Sequence, residues 1–138
     1  MADGAFIRDW LAAQQKPATW VWSSPAARAL ATASYVAEGF SAHGCAAPLA
    51  EDPDLYLASA ETLLGCLAST PGEHASVAIV AHNPGITHLL NALCERPVTD
   101  NAVTFACAQL DFPATGWTDL RFGGAQLVAY DVPRQLRS

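Results

Sequence analysis

The chain has 138 residues, 51% of them hydrophobic and only 14% charged, with a net charge of −6. Such a chain is long and apolar enough to bury a core, which excludes disorder and predicts one domain over residues 1–138. The acidic balance and the single lysine, Lys16, exclude nucleic acid and anionic membrane surfaces as partners; an anionic small molecule fits only where positive charge is gathered locally.

Cys45, Cys66, Cys94 and Cys107 are nowhere spaced as CxxC and have apolar neighbours, so they read as buried free thiols and no metal or other cofactor is expected. The opening "MADGAFIRDWL" has no basic start or long apolar run, and no stretch is long enough to cross a bilayer. A reduced, cytoplasmic setting is expected.

In chain order, residues 5–15 place Phe6, Ile7, Trp10 and Leu11 on one helical face, with Asp3 as cap. "TWVW" at 19–22 predicts a short strand, and residues 25–42 a helix with Leu30, Ala33, Ala37 and Phe40 recurring at helical spacing. A loop with a short strand near residues 48–50 follows, then a helix capped by Ser59 with Leu63, Leu64 and Leu67 inward. "SVAIVA" at 76–81 is a continuous apolar run, as for a strand buried on both faces. Residues 84–95 place Ile86, Leu89, Leu90 and Leu93 on one helical stripe, with His88 exposed opposite. Period two then takes over: "FACAQLDF", "WTDLRF" and "QLVAYDV" read as strands, the last two joined at Gly123-Gly124. The order predicts an α/β three-layer sandwich with a mostly parallel central sheet and antiparallel additions.

Two strand-to-helix junctions match each other: Trp22-Ser23-Ser24-Pro25 and Ala81-His82-Asn83-Pro84. Each sets a capping residue, Ser24 or Asn83, before a proline at the first helical position. Both helix starts then sit at the carboxyl edge of a parallel sheet, where open α/β folds bind ligands and free N–H groups favour an anion. Arg28, one turn into its helix, leans back toward that crevice and can grip two oxygens at once. His82 can hydrogen-bond an oxyanion or protonate a leaving group. Taken singly, Arg28 suits a solvated helix, His82 a backbone-bonded loop, and Ser23 and Ser24 simple capping. Taken together at two equivalent junctions, they point to an anion site. His43 and His74 lie in loops with no partner pattern. Glu51 or Asp52 could act as general acid if residues 45–58 fold over the crevice.

"VWSSPAARALATASYVAE" and "VAIVAHNPGITHLLNAL" resemble the histidine phosphatase superfamily, specifically its small phosphohistidine phosphatase branch. Ser24, Pro25, Arg28, Ala29 and Thr32 match that family's Ser-Pro-x-x-Arg-Ala-x-x-Thr segment, and His82, Asn83, Pro84 and Gly85 its second-histidine segment. "DPDLYLASAETLL" and "NAVTFACAQLDF" add to the likeness. The resemblance implies a phosphoglycerate mutase-like fold and a metal-free phosphatase acting on a phosphorylated protein, as phosphohistidine, or on a small phosphoester through a phosphohistidine intermediate. It implies that Arg28 and His82 are catalytic and that Arg28, His82, Asn83 and Ser23 bind substrate.

The family's nucleophile belongs to an Arg-His-Gly triplet after its first strand, and this sequence has no such triplet. His43 precedes a glycine but follows a helix, with Ala42 where the arginine belongs. The resemblance therefore implies an N-terminally truncated fold, inactive as written. Strands at 20–22 and 76–81 are expected to lose a neighbour, and the natural reading frame to continue upstream of Met1. The alternatives are a non-catalytic phosphate-binding or regulatory module using the same pocket, and a hydrolase with Ser23 or Ser24 as nucleophile. The latter ranks last because the Gly-x-Ser-x-Gly elbow is absent.

Overall fold

The structure is a computed structural model that describes residues 10, 18–41, 49–72, 74, 76–81, 85–95, 98–99, 107–112 and 116–131. Trp10 is helical, while the rest of the first expected helix lies outside the described residues. The chain then forms β1 (Val21–Ser23), α1 (Ala27–Ser41), β2 (Leu49–Glu51), α2 (Ala60–Ala68), β3 (Ala78–Val80), α3 (Gly85–Cys94), β4 (Cys107–Asp111) and β5 (Gln126–Asp131). Single 3-10 turns cover Pro53–Leu55 and Trp117–Asp119.

β1 is the centre of a parallel sheet in the order β2-β1-β3, with Val21 opposite both Leu49 and Ala78. Strand alternation sends successive side chains to opposite faces. Val21, Ala78 and Val80 face Ala33, Val36 and Phe40 of α1. Trp22 and Ile79 face the other way, onto Leu63 and Leu67 of α2 and Leu89 and Leu93 of α3. Helices cover both faces, which is what a parallel sheet requires, and the result is three layers. Leu63 is fully buried between α2 and α3, a placement worth roughly 1.5–3 kcal/mol against exposure.

Local chemistry sets the helix limits. The Ser59 hydroxyl accepts from Thr62 N at 3.3 Å, with Glu61 in the first turn of α2. At the other end the Ser69 and Thr70 hydroxyls donate to the Cys66 and Leu67 carbonyls, satisfying groups the helix leaves open. No helix among the described residues is long and apolar enough to cross a membrane.

Three expectations change. "WTDLRF" is not a strand: β5 pairs antiparallel with β4, and residues 117–119 make a 3-10 turn. The physical reason is the open end of α3, whose Ala92 and Leu93 carbonyls take Gly123 N at 2.8 Å and Ala125 N at 3.1 Å. Gly123 sits at φ +79, so the turn residue is real but leads out of a helix cap and not out of a strand. β1 has lost no neighbour, being paired on both sides. β3 is only half-buried along residues 76–81, because among the described residues no strand pairs with its outer edge.

Candidate active site

The carboxyl ends of the three parallel strands are stitched together by backbone. Ser24 N donates to Val80 O at 3.1 Å, and Asp52 N donates to Ser23 O at 3.0 Å. The start of the α1 junction therefore lies against the last residue of β3, from which the chain continues through Ala81 toward His82. His82, Asn83, Pro84 and His43 lie outside the described residues.

Ser23 and Ser24 are both fully buried. The Ser23 hydroxyl donates to Ser24 O at 2.9 Å, and the Ser24 hydroxyl accepts from Ala26 N at 3.3 Å. Both hydroxyls thus hold the turn. Regular helix begins at Ala27, two residues later than the capping pattern suggests, because Pro25 and Ala26 complete the bend that the Ser24 hydroxyl closes. Arg28 stands in the first turn with its side chain exposed, and its carbonyl accepts the Thr32 hydroxyl at 3.1 Å.

Neither α1 nor α3 carries an acidic residue in its first turn, whereas α2 and both 3-10 turns do. The positive ends of the two junction helices are thus left unneutralised by their own side chains. Gly85 opens α3, and a Cβ there would collide with the Ala58 carbonyl. The segment following β2 therefore reaches the end of β1 and the start of α3: Asp52 bonds Ser23 and Ala58 abuts Gly85.

Asp52 does not stand free over the crevice as a general acid would. Its carboxylate accepts from Asp54 N at 3.0 Å and caps the 3-10 turn, while Glu51 is exposed at the sheet edge. Cys66 lies beneath this turn, and burial, aided by the charges of Asp52 and Asp54, pushes its thiol from 9.0 up to about 12. It is an inert core thiol.

His74 corrects the reading of a histidine without partners. Its Nδ1 lies 2.7 Å from the Thr19 hydroxyl, its ring packs 5.1 Å from Trp20, and its carbonyl accepts Trp117 Nε1 at 2.6 Å. Thr19 and Trp20 are at the amino end of β1, away from its junction with α1, and all three partners are far from His74 in sequence.

No family model and no curated protein matches the chain. Solved structures do. The chain is similar to a candidate phosphohistidine phosphatase SixA from Nakamurella multipartitia, with TM-score 0.79 and 22% identity over 96% of this chain and 80% of that one. A second candidate SixA, from Agrobacterium tumefaciens, gives 0.76 and 24% over 96% and 79%. A protein histidine phosphatase SixA complexed with tungstate gives 0.72 and 21% over 97% and 81%. The chain has the phosphoglycerate mutase-like α/β fold of these SixA structures.

Proposed function

We propose that the carboxyl edge of the parallel sheet is a phosphoryl-binding crevice, and that the chain is a phosphatase domain of the histidine phosphatase type. The observation that carries this reading is the Ser24 N to Val80 O bond, which sets the start of the α1 junction against the end of β3, with no acidic residue in the first turn of α1 or α3. Arg28 supplies the bidentate grip, and His82 with Asn83 the second set of donors. Ser23 acts through the turn its buried hydroxyl holds. The similarity to a SixA that binds tungstate, a phosphate-shaped oxyanion, supports this assignment.

In the reaction this reading invokes, a histidine attacks phosphorus, the substrate group leaves with a proton, and water then releases phosphate from the imidazole. The sequence contains no Arg-His-Gly triplet. This chain therefore contributes the oxyanion-binding half of the site, and its substrate is a phosphorylated protein or a small phosphoester. The same missing triplet favours a second reading, a phosphate-binding module without turnover. The test is thermal unfolding with and without phosphate or tungstate. Either anion raises the melting temperature of the wild type, and Arg28→Ala or His82→Ala each weakens binding by about 1.5–3 kcal/mol. A melting temperature indifferent to both anions removes the crevice from consideration.

A further inference from the structure

The Ser23-Ser24 turn, which leads β1 into α1 and Arg28, is held from both flanks. On one side Ser24 N donates to Val80 O, the last residue of β3. On the other, Ser23 O accepts from Asp52 N at 3.0 Å, one residue past the end of β2. Ser23 is fully buried, so a carbonyl released by Asp52 would meet protein and not water. The hold on the β2 side therefore matters to the turn, and its geometry depends on how Asp52 is itself fixed.

Three features fix Asp52. A residue before proline is restricted to extended backbone, and Asp52, which precedes Pro53, has φ −133 and ψ 114, so it carries the direction of β2 one residue further. Its carboxylate reaches past Pro53 and accepts from Asp54 N at 3.0 Å. Its carbonyl accepts from Leu55 N at 3.0 Å, and Leu55 is fully buried in the core shared by α2 and α3. The chain bends sharply here, and the side chain of one residue closes the bend that keeps its own amide on Ser23. A carboxylate that the sequence offered as a proton donor is engaged as an acceptor.

We infer that Asp52 is a positioning residue for oxyanion binding. By closing the bend after β2 it keeps its amide on Ser23, and through the Ser23-Ser24 turn it sets where α1 begins and where Arg28 stands. It acts through the backbone and touches no phosphoryl oxygen itself. The inference rests on the crevice reading and adds to it a residue outside the two junctions.

The test is calorimetric titration of the full chain with inorganic phosphate, alongside the melting temperature of each variant. Asp52→Ala removes the acceptor and is expected to weaken phosphate binding by about fivefold. Asp52→Gly also lacks the acceptor, but glycine is tolerated at a cap far better than alanine, so this variant keeps nearly the wild-type melting temperature and is expected to lose affinity all the same. Asp52→Asn retains an acceptor oxygen and is expected to bind within about twofold of the wild type. Ser69→Ala, which removes a hydroxyl bonded to the Cys66 carbonyl beyond the last turn of α2, is expected to lower the melting temperature and leave phosphate affinity unchanged. Wild-type affinity in both Asp52→Ala and Asp52→Gly overturns the positioning role alone. So does an Asp52→Asn as weak as Asp52→Ala, which assigns the effect to charge, or an equal loss in Ser69→Ala, which assigns it to general destabilisation. Failure of the wild type to bind phosphate overturns the crevice, and the role of Asp52 with it.

Discussion

The carbonyl oxygen of Ala58 occupies the space that a side chain on Gly85 would need. This packing sets the start of α3 directly against the segment that leaves β2, and it explains a glycine at a helix start where its flexibility is otherwise a disadvantage. Gly85→Ala must push backbone aside, and the expected cost is about 2–3 kcal/mol. Gly65, inside α2, has open space where its Cβ would go, so Gly65→Ala is expected to stabilise by about 0.5–1 kcal/mol. Urea unfolding of the two variants checks the opposite signs; equal effects would mean that the Ala58 contact does not constrain α3.

Turnover separates binding from catalysis. On the proposed phosphatase reading, the pure chain is expected to leave p-nitrophenyl phosphate and phosphohistidine unhydrolysed, because the sequence holds no Arg-His-Gly triplet to supply the attacking imidazole which that reading requires. Steady hydrolysis abolished by His43→Ala would identify His43 as a nucleophile after all.

The strands and helices that flank the two junctions were readable because their signals are local. A serine before a proline, an apolar run ending in His82 and a leucine stripe over residues 86–93 each lie within a few residues of the element they specify. What escaped depends on distant partners. Residues 117–122 alternate like a strand, yet the open carbonyls of Ala92 and Leu93 recruit the following turn as a cap. His74 meets Thr19 across 55 residues, and nothing in its own neighbourhood announces that bond. The apolarity of "SVAIVA" states that neighbours suit this strand, not where they are, and β3 has a strand on one side only among the described residues. The exposure of Leu57 has no sequence signal, since a leucine in an apolar segment reads as core.

Cys66 ties stability to alkaline pH. Its folded-state thiol is raised to about 12 from 9.0, so the folded chain holds this proton where the unfolded chain has released it. The contribution is whole below pH 9 and is lost progressively between pH 9 and about 12. Cys66→Ala loses some packing at neutral pH but is expected to flatten the fall in stability across that window. A thiol reagent at pH 8 is likewise expected to leave Cys66 unmodified until the chain unfolds. An unchanged alkaline slope in Cys66→Ala would transfer the effect to other groups.

The outer edge of β3 offers the sharpest test of the sheet. Ala78 N donates to Trp20 O at 2.9 Å, and Val80 O accepts from Ser24 N at 3.1 Å, so residues 78 and 80 turn their backbone groups toward β1. Parallel pairing alternates, which turns the N–H and C=O of Ile79 to the opposite side. Among the described residues no strand is paired there, although the Ile79 side chain packs onto the α2–α3 core. Its amide is therefore expected to exchange with solvent roughly tenfold or more faster than those of Ala78 and Val80, despite lying between them. Native-state hydrogen exchange resolves the three amides individually. Equal protection at all three positions would mean that a further segment pairs with β3 and that the parallel sheet has a fourth strand beside the His82 junction.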